Sequence, residues 1–171
     1  MDTNLTVTEA FRNAKLSPSK PVRWETLETC ISDLPQSKGV YVVARVGDPN
    51  LGCEVCDLPF RYPLPPNLVL DFEYERQRWL SNEPVLYIGG TTRTVRERVR
   101  EFYVHKVGEK RPHKGGEVVK LLACDEWVYW SPADDPEDSE LVMICAFRNK
   151  VGQLPFANKL HAKPKRIRCS S

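Results

Sequence analysis

The 171-residue chain predicts an α/β fold, a small and mainly antiparallel central sheet of three strands flanked by helices. Three observations lead there. Runs rich in β-branched and aromatic residues recur at 39–46 (GVYVVARV), 84–88 (PVLYI) and 126–131 (EWVYWS). Two helix-start signals, Thr94-x-x-Glu97 and Asp135-Pro136, follow the second and third runs. Ahead of the first run, apolar residues at 24, 27, 30, 31 and 34 recur at helical spacing.

The elements follow in order. Residues 1–35 form an N-terminal extension, polar and expected to be loosely held over its first twenty residues, then a helix ended by Pro35. Residues 36–158 form the main domain. Its first strand ends at the turn Gly47-Asp48-Pro49-Asn50. An insertion over 47–83 follows, with prolines at 59, 63, 65 and 66, and residues 68–80 read as a strand running into a helix. Gly89-Gly90 closes the second strand. In the helix begun at Thr94, Val95, Val99 and Phe102 fall on one face. Residues 113–116 read as a loop. Of 117–123 and 126–131 at least one is a further strand, most securely the second. The helix capped by Asp135 should run to about Lys150 and stop at Gly152, with a turn at 155–158 and a basic tail over 159–171.

The net charge of +2 says little, but its distribution says more. Residues 93–120 carry a net +5, 159–168 five basic residues and no acidic one, and 47–83 a net −4. A polyanion would favour the first two stretches, although charge runs are also what solvated faces carry. No apolar run has membrane-spanning length and residues 1–15 hold no signal-peptide core, so a cytoplasmic protein without membrane association is expected. The six cysteines then read as reduced thiols. Cys53-x-x-Cys56 supplies two of the four ligands a structural zinc needs, and His105, His113, Cys124 and Cys169 are scattered. An unliganded thiol pair is the simpler reading.

Gly39-Val40-Tyr41 opening one strand and Leu86-Tyr87-Ile88-Gly89 ending the next resemble the paired signature that names the GIY-YIG nucleases. A helix with a central arginine, a third strand, an acid-bearing helix and the segment Pro155-Phe156-Ala157-Asn158 follow in that family's order. His113-Lys114-Gly115-Gly116 is similar to a stretch in some stand-alone bacterial members. The resemblance covers 39–46 and 84–158, and leaves out the N-terminal helix, the insertion and the tail.

The resemblance implies a DNA endonuclease that uses Mg²⁺ or Mn²⁺ and leaves 3′-hydroxyl and 5′-phosphate ends. Phosphodiester hydrolysis needs an activated water, stabilisation of charge on the phosphate and help for the leaving oxygen. Glu140, one turn inside the Asp135-capped helix, is the implied metal ligand. It has a plainer reading as a partner of the helix dipole beside Asp134, Asp135, Glu137 and Asp138. Arg98 is the implied phosphate contact, with Arg96 the alternative if the helix aligns differently. Tyr41 is implied to help activate the water and Tyr87 to orient water or phosphate, though both are also what core strand tyrosines look like. Where some members carry a histidine, this chain has Phe102, with Tyr103 or His105 as substitutes. Asn158 would tie the end of the fold near the phosphate. Arg93, Arg96, Arg100, Lys114, Lys159, Lys163, Lys165 and Arg166 are the expected DNA contacts. With no separate DNA-binding domain, specificity falls to the insertion, the tail, a homodimer or a partner protein. A catalytically inactive nucleic-acid-binding module and, on Cys53 and Cys56 alone, a zinc-binding interaction protein are the competing readings.

Overall fold

The computed structural model describes residues 4–66, 68, 70–110, 116–159 and 169. Its elements are α1 (Val7–Asn13), β1 (Val22–Arg23), α2 (Leu27–Cys30) between two 3-10 turns, β2 (Gly39–Ala44), α3 (Phe72–Arg78), β3 (Val85–Thr91), α4 (Val95–Val104), a 3-10 turn (Glu117–Leu121), β4 (Trp127–Pro132) and α5 (Pro136–Val151). The expected α/β architecture with an antiparallel sheet is present, but the sheet has four strands in the order β1-β4-β2-β3. The extra strand is the two-residue β1, pairing Val22 with Val128 and Arg23 with Trp127. Two residues are too few for a period of two to show in sequence.

Every residue of β2 is buried, because the strand is central and covered on both faces. Alternate residues point to opposite faces. Tyr41 and Val43 face a core shared with Leu27, Val95, Val99, Phe102 and the 117–121 turn. Val40, Val42 and Ala44 face α1 and α5 through Phe11, Met143, Ile144 and Phe147. Helices therefore cover both sides of the sheet.

Several expectations are corrected. Residues 4–13 are held rather than loose. Thr6 and Glu9 form a reciprocal capping box, and Val7, Ala10 and Phe11 are fully buried against the sheet and α5. Burying one large apolar side chain contributes roughly 1.5–3 kcal/mol, enough to hold a seven-residue helix that would not persist alone. The helix expected over 24–34 is broken into 3-10, α and 3-10 pieces. Of the two segments 117–123 and 126–131, the second carries the strand, as expected, and Glu117–Leu121 form a 3-10 turn. Among the described residues of the insertion only α3 is regular, capped by the Asp71 carboxylate, which accepts from the Tyr74 N–H at 3.0 Å. The insertion is pinned by the Phe60–Leu122 bridge and by the Trp79 indole donating to the Cys56 carbonyl at 2.7 Å. Not all cysteines are reduced, since Cys145 on α5 is disulfide-bonded to Cys169, with Cα atoms 5.3 Å apart.

The expected caps of the later helices hold. Thr94 and Glu97 form a capping box on α4, the Asp135 side chain accepts from the Asp138 N–H, and Gly152 ends α5 with a left-handed φ of 94°. No helix among the described residues is long and apolar enough to cross a membrane.

Candidate active site

The candidate site lies at the Gly89-Gly90 end of β3. Tyr41 pairs with Gly89 and Tyr87 with Val43, so both phenols project from the same face of neighbouring strands. Their ring centroids are 6.0 Å apart, and the two hydroxyls are within hydrogen-bonding reach of each other. The Tyr41 ring crosses over Gly89, where a Cβ would stand 2.6 Å from Cζ and 2.7 Å from the hydroxyl oxygen. Gly116, left-handed at φ 77°, lies under Tyr87, and a Cβ there would meet the ring at 2.8 Å. The last glycine of the 113–116 segment thus serves both the turn and the close approach of an aromatic ring.

Glu140 approaches from the opposite face. Helix α5 packs on the Val40 and Ile88 side of the sheet, and the Glu140 carboxylate crosses Gly90. A Cβ at Gly90 would stand 2.8 Å from Oε2 of Glu140 and 2.8 Å from the Pro136 carbonyl oxygen. The two adjacent glycines therefore admit one set of side chains each, tyrosine on one face and carboxylate on the other.

Arg98 is set by the docking of α4. The first helical N–H groups, which have no partner inside a helix, donate to the segment ahead of β2. Val95 N–H reaches the Ser37 carbonyl at 2.9 Å and Arg96 N–H the Pro35 carbonyl at 3.1 Å. The Arg96 side chain completes this clamp, with Nε on the Leu34 carbonyl at 2.9 Å and Nη2 on the Ser32 carbonyl at 2.8 Å. Arg96 is thereby a structural bolt between α4 and the approach to Tyr41. Arg98, with its side chain 28% exposed, donates to Glu101 at 3.2 Å. Glu101 also holds Arg93 by two bonds of 2.7 and 2.6 Å. This shared carboxylate is held below its ordinary pKa by Arg93 first and then by Arg98. Glu101 had no assigned role in the sequence, although its three-residue offset from Arg98 on one helix face was a readable signal.

The charges act on one another. Burial pushes both phenols above their ordinary pKa, Tyr87 to about 12 and Tyr41 well above 10. The Glu140 carboxylate adds to the rise for both, and the Arg98 guanidinium opposes it. Both phenols are thus close enough to Arg98 and to Glu140 to feel their charges. At neutral pH the phenols are hydroxyl donors.

Asn158 closes the edge of β3. Its Oδ1 accepts from the Ile88 N–H at 3.0 Å, its Nδ2 donates to the Ile88 carbonyl at 2.8 Å, and Ala157 N–H donates to the Leu86 carbonyl at 2.9 Å. The side-chain amide stands where a neighbouring strand would otherwise pair. Arg78 of α3 donates to the Pro155 and Asn158 carbonyls, so the insertion braces this segment from behind.

Other expected residues fall elsewhere. His105 is buried and paired with Glu117 at 2.8 Å, and Tyr103 packs on Trp24, so neither occupies the position of a site histidine. Arg100 is exposed and Lys159 lines a cavity beside α3. Lys114, Lys163, Lys165 and Arg166 lie outside the described residues. No three His, Cys, Asp or Glu among the described residues converge to hold a metal ion. Glu140 suits a different arrangement. Mg²⁺ is commonly anchored by one or two carboxylates and keeps several waters, and Gly90 leaves the space that the carboxylate occupies.

No protein-family model matches the chain, and no curated protein or solved structure matches it significantly.

Proposed function

We propose that this chain is a divalent-metal-dependent endonuclease of the GIY-YIG type, hydrolysing DNA phosphodiester bonds. The reading is carried by one observation. Four side chains implied by a short sequence resemblance, drawn from β2, β3, α4 and α5, gather at one end of β3, where the Arg98 and Glu140 charges act on both phenols. Neighbouring glycines admit them there.

Glu140 is the proposed anchor for Mg²⁺ or Mn²⁺. Bound there, the cation supplies Lewis-acid stabilisation of charge on the phosphate oxygens. Arg98, aimed by Glu101, offsets the charge that builds on the same phosphate through two parallel donors. Tyr41 and Tyr87 present hydroxyls that orient the attacking water and the phosphate. Proton loss from Tyr41 is opposed by burial and favoured by Arg98. Asn158 holds Ile88, and so the strand from which Tyr87 projects. Arg93, just ahead of the Thr94 cap, and Arg100 on α4 are both exposed and placed for flanking phosphates. Specificity would come from the insertion, the tail, a second copy or a partner protein.

The deciding experiment is cleavage of plasmid, single-stranded, branched and RNA substrates with Mg²⁺ or Mn²⁺, by wild type and Glu140→Gln. Cleavage by the wild type, lost in the variant while DNA binding and thermal stability persist, is the expected result. Full activity of Glu140→Gln at limiting Mg²⁺ removes the metal role. A wild type that binds DNA but cuts no substrate with either metal replaces the enzyme by a non-catalytic binding module.

A further inference from the structure

Away from the candidate site, a cavity of about 410 Å³ opens between α3 and the 117–121 turn. Its apolar wall comes from Leu68, Leu70, Val107, Val118 and Leu121, and Tyr74 adds an aromatic ring. Three carboxylates, Asp71, Glu75 and Glu117, and one ammonium, Lys159, complete the lining. Glu117 is engaged with His105 at 2.8 Å and with the Gly108 N–H at 3.1 Å. Glu75 is different. It is only 6% exposed, and its Oε2 has no hydrogen-bond partner among the described residues.

A buried carboxylate oxygen without a donor costs several kcal/mol unless a partner arrives. The nearest cations do not serve as that partner. The Arg78 guanidinium is committed to the Pro155 and Asn158 carbonyls, and burial holds the Glu75 pKa above its ordinary value, with Arg78 and then Lys159 only partly opposing the rise and neither bonding Oε2. An anionic ligand would meet three carboxylates against one lysine. A purely apolar one would leave the Glu75 carboxylate without a counter-charge. A bare metal ion would find one spare carboxylate and a hydrocarbon wall. What matches is a cation with N–H donors at one end and hydrocarbon behind it, and an aromatic ring in the wall suits such a group.

We propose that this cavity is a binding site for an organic cation, a guanidinium or primary ammonium on a short apolar stem, with Glu75 as its counter-charge. The site is independent of the nuclease reading. The same chemistry comes from two sources, a free small cation or an arginine or lysine side chain of a bound peptide.

The test uses the full chain and direct binding, with no nuclease readout. Agmatine and n-butylammonium are titrated by calorimetry and by amide shift mapping, with butyrate as the anionic control. Expected is saturable binding that perturbs residues 68–75 and 117–121, weakened at least tenfold in Glu75→Gln. That variant should fold, because an amide is the same size and carries no charge to bury. Lys159→Met should tighten binding a few-fold by removing a competing cation. A capped Leu-Arg-Leu peptide separates the sources: binding tenfold tighter than agmatine identifies a partner's side chain, and equal or weaker binding a free cation. No saturable binding of either cation, equal affinity in Glu75→Gln, or preferential binding of butyrate would each overturn the proposal.

Discussion

Two regions of this molecule treat buried polar groups in opposite ways. At the Gly89-Gly90 end of β3, side chains from several elements approach through gaps left by glycine and are held by near neighbours. On the insertion side, two buried carboxylates, Glu75 and Glu126, each keep an oxygen without a hydrogen-bond partner among the described residues. Polar burial is therefore not one kind of feature. Where partners are built in, it orders a site. Where they are missing, the fold carries a cost that a ligand or a change of protonation can remove.

The sharpest way to test the ordered region is to separate two arginines on one helix. Arg98→Ala should lower turnover about 10²–10³-fold, the usual loss for one charge-stabilising donor, with little change in melting temperature. Lysine at 98 should rescue poorly, because a point charge does not reproduce a planar fork. Steady-state cleavage rates beside thermal melts decide this. Arg96→Ala should do the reverse, melting earlier by about 1–3 kcal/mol from two lost bonds to the Leu34 and Ser32 carbonyls. Its rate per folded molecule should stay near wild type. A dead but stable Arg96 variant would mean that the helix presents the wrong arginine to the phosphate.

A smaller effect is expected at Gly90. Alanine there places a Cβ 2.8 Å from both Glu140 Oε2 and the Pro136 carbonyl, so α5 or the carboxylate must shift. Overpacking of this kind costs about 1–3 kcal/mol. Metal-dependent cleavage should fall with it, and the apparent Mg²⁺ requirement should rise. If Gly90→Ala melts and cuts like wild type, the carboxylate does not depend on that gap.

The same contrast explains what could be read from the sequence. Val40-Tyr41, Tyr87-Ile88, the Thr94 and Asp135 caps and the Gly152 stop are local signals, each complete within a few residues. All of them appear where expected. The roles of Arg96 and Gly116 are not legible, because each depends on which distant segment docks beside it. The first helix was missed for another reason. Thr6-x-x-Glu9 with apolar residues at 7, 10 and 11 is a readable start, but seven residues give little period against a polar background. β1 offered still less, and its pairing with β4 is visible only in three dimensions. The insertion resists because, among the described residues, it is held by the bridge at Phe60 and scattered side-chain bonds rather than by a repeating pattern.

Asn158 gives a test of intermediate size at the boundary of the two regions. Its amide makes both bonds to Ile88, so Asn158→Ala leaves a strand-edge donor and acceptor unmet. A loss of about 1–3 kcal/mol is expected, read as a shift of the urea midpoint. Asp at 158 should recover the Ile88 N–H bond but not the one to its carbonyl, and so lie between the two. Equal stability of all three would show that the edge is satisfied by solvent.

The smallest expected effect lies on the insertion side and depends on pH. Glu126 is 7% exposed, its Oε1 lacks a partner, and burial raises its pKa well above the ordinary 4.5, with Arg61 only partly opposing. The folded chain therefore keeps a proton that the unfolded chain releases near pH 4.5. Unfolding releases that proton, so raising the pH favours unfolding, beginning near the unfolded value and continuing up to the folded one. Glu9 and Glu101 act in the other direction, since their lowered values make stability fall as the solution becomes more acid. Glu126→Gln removes the titrating group and keeps the shape. The variant should match wild type near pH 4.5 and become more stable than it as pH rises, by on the order of 1 kcal/mol at pH 8. Urea midpoints at several pH values between 4.5 and 8 measure this. A gap between variant and wild type that does not change with pH would show that Glu126 titrates as an ordinary carboxylate, and the contrast between the two regions would then rest on Glu75 alone.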